Sequence, residues 1–281
     1  MRLLKLLFVV FFFQMYLPAQ VRNNFLSFAD NLYEEKEYYR AITEYKRYLF
    51  FFASTSHDSI IAMQKIVQCN LKGENYLDAL SETNKLLSLH NISENQIVNW
   101  KAIRGLNFLK MKYLESAYNV FQDIKDSNYK NLFLGVAHFS QYEWDIADEY
   151  LSKVSVSPAN SVLQLKQGLM DSSVRGLSLN YKNPLLAGIL SGVLPGAGYA
   201  YVGKYQTAFS SLLLNSLLIG ATIEFNKNGY KFAGGTTLLL AFGWYIGNIF
   251  GSFEAAESYN NNMSEGIVNP LLDKVNDYLF R

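Results

Sequence analysis

Tyr38-Tyr-Arg-Ala-Ile-Thr-Glu-Tyr45, Tyr76-Leu-Asp-Ala-Leu-Ser-Glu-Thr83, Leu114-Glu-Ser-Ala-Tyr-Asn-Val-Phe121 and Trp144-Asp-Ile-Ala-Asp-Glu-Tyr-Leu151 are four versions of one segment. Each has a large apolar or aromatic residue three before an alanine, and three of them have another four after it. The alanines, Ala41, Ala79, Ala117 and Ala147, are 38, 38 and 30 residues apart. Alanine lets one helix approach another closely, and residues three and four away share its face and fill the space around it. A helix pair built this way keeps an apolar face that only the next pair covers, so such pairs stack. Residues 22–182 are therefore expected to form an all-α helical-repeat domain.

The segments resemble the tetratricopeptide repeat, a pair of antiparallel helices of about 34 residues. That family places Gly or Ala twelve residues before the central alanine, where two helices cross; here the positions hold Ala29, Val67, Gly105 and Gly135. Pro158 falls where the family ends a repeat, and proline cannot continue a helix. Val67, Thr83 and the two long spacings depart from the pattern. The resemblance implies a groove made by the first helix of each pair, with a protein or peptide as ligand. Carried over, the groove-facing positions are Asp30 and Tyr33, then Gln64, Gln68 and Leu71, then Leu106 and Leu109, and last Val136 and Phe139. The groove turns from polar to apolar along the chain. Its apolar end is either part of a peptide site or is covered by the following helix or a membrane segment. Beyond Pro158, the spacing of Val162, Leu165 and Leu169 predicts a helix that caps the stack or bridges it to a membrane.

Outside these repeats the composition changes. The 281 residues are 17% charged, against about 25% for a typical soluble domain, with mean hydropathy +0.01. Residues 22–182 carry 18 basic and 18 acidic side chains, whereas residues 183–262 hold six charges and 12 of the 18 glycines. The averages thus mix two solvents, and the domain boundary is expected at Asn183-Pro184. A net charge of +1 gives no electrostatic reason to expect nucleic acid as a partner. The single cysteine, Cys69, cannot form an intramolecular disulfide and reads as a buried core residue.

Three apolar stretches follow the boundary: Leu185–Val202, Ala208–Phe225 and Phe232–Phe250. The last two reach about the length needed to cross a bilayer, and the first is interrupted at Leu194-Pro195-Gly196. The reading is a transmembrane helical hairpin preceded by a short re-entrant or interfacial helix, with three full spans as the alternative. Gly188, Gly192 and Gly196 recur every four residues, as do Gly243, Gly247 and Gly251. Small residues at this interval let membrane helices touch along their backbones, either within one chain or between copies in a homo-oligomer. Lys204, Lys227 and Lys231 lie on both candidate loops, so the positive-inside count leaves the topology open.

Pro195, Gly196, Gly198, Tyr201 and Gly203 match a PGxGxxYxG signature. In this, residues 183–262 resemble small membrane domains of exported bacterial proteins, distantly those of TM2 type. That resemblance implies architecture and no activity. Residues 263–281 read as an amphipathic C-terminal tail.

At the other end, Arg2 and Lys5 precede the apolar run Leu6–Phe13 and the small residue Ala19, which describes a signal peptide over residues 1–19; an uncleaved anchor is the alternative. No phosphate loop, HExxH or nucleophile elbow occurs, and His57, His90 and His138 are isolated, so no catalytic residue, cofactor or metal ligand is expected. These features together predict a membrane-tethered exported scaffold or assembly factor of the bacterial cell envelope. The inner membrane is favoured, with the repeat domain in the periplasm. The alternative is a component of a membrane channel or transport complex, using Asn215 or Asn248.

Overall fold

A computed structural model describes residues 25–52, 56–90, 92–155 and 160–280. The expected signal peptide and Pro158 lie outside them. Among the described residues there is helix and no strand. The helices are α1 (residues 25–34), α2 (Tyr38–Phe52), α3 (Ser56–Lys72), α4 (Tyr76–Leu87), α5 (Glu94–Lys110), α6 (Leu114–Gln122), α7 (Ser127–Ser140), α8 (Trp144–Ser152) and α9 (Asn160–Leu177). They are followed by α10 (Pro184–Val193), α11 (Ala197–Tyr201), α12 (Tyr205–Lys227) and α13 (Lys231–Leu279). The chain divides into two compact units, one ending at Ser173 and joined by Pro270–Arg281, the other Val174–Asn269. The composition change at Asn183-Pro184 therefore lies inside the second unit. Tyr181 and Lys182 explain the earlier division: the Tyr181 hydroxyl bonds Ser264 at 2.8 Å, and the Lys182 amide donates to Asn260 Oδ1 at 2.7 Å.

In the first unit each helix from α2 to α8 packs on the next, and four pairs are closed by one turn. Lys36, Glu74, Lys112 and Tyr142, each five residues before a repeat alanine, have φ of 63°, 60°, 63° and 65°. Their amides donate to the carbonyls of Tyr33, Leu71, Leu109 and Phe139, three residues back. The next amides, of Glu37, Asn75, Tyr113 and Glu143, donate five residues back, to Leu32, Asn70, Phe108 and His138. This double bond pattern is the Schellman motif, which satisfies the last carbonyls of the first helix and reverses the chain. Glycine is the usual residue at its left-handed position; here a side chain occupies it in all four pairs. Lys112→Gly and Tyr142→Gly are each expected to raise stability by up to about 1 kcal/mol by removing left-handed strain, measurable as a higher unfolding midpoint.

Packing within the pairs follows the sequence pattern closely. A Cβ on Gly105 would run into the Phe121 ring, and one on Gly135 would lie 2.9 Å from Leu151 Cδ2. In these two pairs the residue twelve before the alanine thus meets the residue four after it, and in the first pair Ala29 and Tyr45 share one buried cluster. Across the four pairs these two positions hold Ala29 and Tyr45, Val67 and Thr83, Gly105 and Phe121, and Gly135 and Leu151. All but the glycines have 1% exposure or less. Val67 and Thr83, the two departures from the family pattern, are both buried at these positions of the second pair, with the larger residue on the first helix instead of the second.

Cys69 is fully buried in the cluster formed by Ala29, Leu32, Ala41, Ile42, Tyr45 and Ile66. Burial pushes its thiol up to about 12, so it stays protonated and unreactive at neutral pH. A maleimide reagent at pH 7.5 is expected to leave it unmodified in the folded chain and to modify it fully in denaturant.

The second unit is organised around the break between α10 and α11. Leu194 turns extended and Gly196 adopts φ 91°, so the helix stops and restarts. The freed carbonyl of Gly192 finds a partner in Tyr245, whose Oη donates to it at 2.6 Å, and Ser252 Oγ donates to Ala187 O in the body of α10 at 3.1 Å. A helix break in apolar surroundings requires such substitutes. Among the described residues only α12 is long and apolar enough to cross a membrane by length and composition. The stretch Phe232–Phe250 is continuous helix within α13. α13 also runs on without interruption to Leu279, so residues 263–269 complete the second unit's long helix and Pro270–Arg281 joins the first unit.

Candidate functional site

The positions carried over as groove-facing separate into two sets. Tyr33, Leu71, Leu109 and Phe139 accept the turn bonds described above, and they pack back onto their own pair. Tyr33 lies 5.6 Å from the Tyr38 ring and Phe139 5.0 Å from that of Trp144, in equivalent contacts. Leu71, Leu109 and Phe139 are buried. This half of the expected groove is therefore core at the turn, because the chain reversal directs these side chains at the second helix. Asp30, Gln68, Leu106 and Val136 are the other set, eleven residues before each alanine. Asp30 is held internally: it accepts from Tyr45 Oη at 2.5 Å and pairs with Lys65 Nζ at 3.1 Å. Gln64 and Gln68 are half-buried, two turns and one turn before Lys72 on one face of α3.

That shared face carries the site the sequence did not point to. Lys72 Nζ pairs with Asp277 at 2.8 Å and Lys110 Nζ with Asp273 at 3.0 Å. Asn99 Nδ2 donates to the carbonyl of Leu279 at 3.0 Å, and Tyr129 lies beside Tyr278. All four contacts join the first helix of a pair, α3, α5 or α7, to the segment Pro270–Leu279 of the same unit. The contacts also repeat: Lys72 and Lys110 each stand seven residues before a repeat alanine, and Asn99 and Tyr129 each stand eighteen before one. On α5, Asn99, Leu106 and Lys110 recur at intervals of seven and four, which is one helical stripe.

Leu271, Leu272, Val275 and Leu279 of the segment are buried to 5% exposure or less, whereas Asp273 and Asp277 keep more than half of their side-chain surface in water. Fully burying one such apolar side chain contributes about 1.5–3 kcal/mol, and an exposed ion pair about 0–1 kcal/mol. The apolar stripe therefore holds the segment, and the two aspartates set its register. The Tyr278 phenol is raised by burial and by the neighbouring Tyr129. Burial chiefly raises Tyr33 to about 12, with Asp277 among the charges adding to the shift. A cavity of about 350 Å³ remains beside the segment, lined by Asn95, Val98, Asn99, Tyr129, Phe133, Tyr278 and Leu279. Part of the α5 and α7 face is accordingly bordered by the segment Pro270–Leu279 of the same unit.

In the second unit every residue of the PGxGxxYxG run has a mechanical reason. Pro195 follows the last residue capping α10, and Gly196 supplies the left-handed backbone. A Cβ on Gly198 would run into the Ala187 carbonyl, and its amide donates to Ser191 Oγ at 3.0 Å. Tyr201 Oη accepts the Asn183 amide at 3.2 Å, and the Lys182 ammonium lies 4.9 Å over the Tyr201 ring. Gly203, at φ 82°, makes the same turn as the repeat pairs: its amide donates to Ala200 and that of Lys204 to Tyr199. The glycine ridges are used unevenly. Gly188 and Gly192 face Ile249 at 3.6 Å, and Gly251 faces the Tyr199 hydroxyl, whereas Gly243 and Gly247 meet nothing within 4 Å. Intrachain packing thus uses the α10 ridge and the C-terminal end of the α13 ridge only.

Asn215 and Asn248 donate to the carbonyls of Ser211 and Trp244 on their own helices. Among the described residues no group of three or more His, Cys, Asp or Glu side chains is placed to hold a metal ion. No protein-family model, curated protein or solved structure matches the chain.

Proposed function

We propose that the protein is a membrane-tethered, exported scaffold of the bacterial cell envelope, in which a tetratricopeptide-like stack binds a protein partner along its first-helix face. One observation carries the reading. Residues at equivalent positions of successive pairs, Lys72 with Lys110 and Asn99 with Tyr129, grip one amphipathic helix. A face that repeats its grip at intervals is suited to an extended ligand.

The tether rests on exposed apolar surface in the second unit. Phe209, Leu213, Leu217, Ile223, Phe232, Leu239, Phe242 and Phe250 are all 50% or more exposed. The apolar window of α12 is only 22% buried, unlike the core helix of a soluble protein. Such a girdle is costly in water and favourable in lipid. It supports the hairpin of α12 with the first half of α13, and α10 and α11 as a short interfacial or re-entrant element. Tethering would raise the stack's local concentration for partners in the same membrane without new contacts. The channel alternative draws no support from Asn215 or Asn248, since both amides donate within their own helices.

The test has two parts. Expressed in bacteria, the chain should stay in membranes washed with alkaline carbonate, with the stack digested by protease added outside the inner membrane. A photo-crosslinker at Gln68 should give adducts with envelope proteins that are lost in Lys72→Asp/Lys110→Asp. Release by carbonate, or adducts unchanged in that double variant, would overturn the proposal.

A further inference from the structure

We infer that Pro270–Leu279 is a self-ligand that occupies the partner groove. The partner replacing it is then an amphipathic protein helix with two acidic side chains one turn apart beside an apolar stripe. The inference rests on the functional reading above and names the partner class of the same site.

The chemistry of that class is written in the segment now bound. Asp273 and Asp277 are four residues apart, so they project from one side of a helix. They meet Lys110 and Lys72, the same position of two successive pairs. The first pair has Glu34 at this position, which would repel a third carboxylate, so the charge pattern allows two acidic residues. Apolar residues at the positions of Leu271, Leu272, Val275 and Leu279 complete the motif.

The segment fits its groove incompletely, which is what a displaceable ligand requires. Asn276 is 5% exposed, and its Oδ1 is buried with no partner, a costly arrangement for a carbonyl oxygen. The cavity of about 350 Å³ adjoins Tyr278 and Leu279, so a ligand with a bulkier apolar residue there gains contacts that the segment lacks. Both ion pairs are half open to water and weak. Pro270 stands at the first residue of the segment, inside α13. It has no amide to donate to Gly266, four residues back, so the helix is weakest where the segment would detach.

The test uses the full chain in detergent micelles and a fluorescent synthetic peptide spanning residues 268–281. In the wild type the tethered copy competes, and binding should be weak. In Asp273→Lys/Asp277→Lys the tethered copy is repelled by Lys110 and Lys72, and affinity for the peptide should rise about ten-fold, as expected when the competent fraction rises. A peptide carrying the same two lysines should not bind. Asn276→Leu in the full chain should weaken peptide binding further by tightening the tethered segment. Equal binding to wild type and Asp273→Lys/Asp277→Lys, with circular dichroism showing both folded, would overturn the inference. So would peptide binding that is blind to the lysine substitutions. Peptide binding as expected, together with carbonate release or unaltered crosslinks in cells, would leave the self-ligand standing and sink the scaffold reading.

Discussion

Gly105→Val is expected to lower stability by about 3 kcal/mol, and combining it with Phe121→Thr is expected to cost about 2 kcal/mol less than the two single losses added together. The Cβ of residue 105 would enter the Phe121 ring. That ring cannot swing aside, because it is 1% exposed and stacks on Phe133 with centroids 5.5 Å apart. Phe121→Thr alone empties the same space and should cost about 3–5 kcal/mol, by analogy with large-to-small core changes. The double variant copies the pair Val67 and Thr83, which this chain already uses in its second helix pair. It should therefore be more stable than the sum of the single losses by about 2 kcal/mol, the coupling expected of residues in direct contact. Guanidinium unfolding of the four chains measures this. Strict additivity would mean that the two positions do not exchange volume and that the matched pairs are coincidence.

Gly198→Leu should have an effect of similar size in the second unit, whereas Gly247→Leu should have almost none. At Gly198 a Cβ would meet the Ala187 carbonyl and come within 2.7 Å of both Ser191 Oγ and Ser252 Cβ. The change would also dislodge the bond from the Gly198 amide to Ser191 Oγ, which satisfies backbone at the helix break, and the bond from Ser252 Oγ to Ala187 O. Overpacking and the loss of buried partners together should cost about 3 kcal/mol or more. At Gly247 nothing lies within 4 Å, so the change should stay within about 0.5 kcal/mol. Thermal unfolding in detergent compares the two directly. If Gly247→Leu instead abolished a dimer seen by size exclusion, the exposed end of the ridge would be a contact between copies.

The helical repeats were readable because their signal is local. Small and large residues at fixed offsets from Ala41, Ala79, Ala117 and Ala147 are visible along the chain, and the structure brings Gly105 to Phe121 and Gly135 to Leu151. The turn was not readable. Its left-handed position holds Lys, Glu, Lys and Tyr, none of which announces positive φ as glycine does. Half of the groove positions were misplaced for a related reason: a family pattern places a residue near the end of a helix, but the turn decides which way its side chain points.

The amphipathic stripe Leu271, Leu272, Val275 and Leu279 was also present in the sequence as a tail with an apolar side. Periodicity shows that such a face must be covered, because it repeats every three to four residues along one helix. It does not show by what. The partners are Lys110, Asn99 and Lys72, separated from Asp273, Leu279 and Asp277 by 163, 180 and 205 residues. No spacing rule reaches that far. By itself the sequence determined the helices and the division between a charged and an apolar part, both of which depend on neighbours a few turns apart. Only the tertiary structure decided that Pro270–Leu279 lies against α3, α5 and α7, because that contact is chosen by which surfaces remain uncovered once the pairs have stacked.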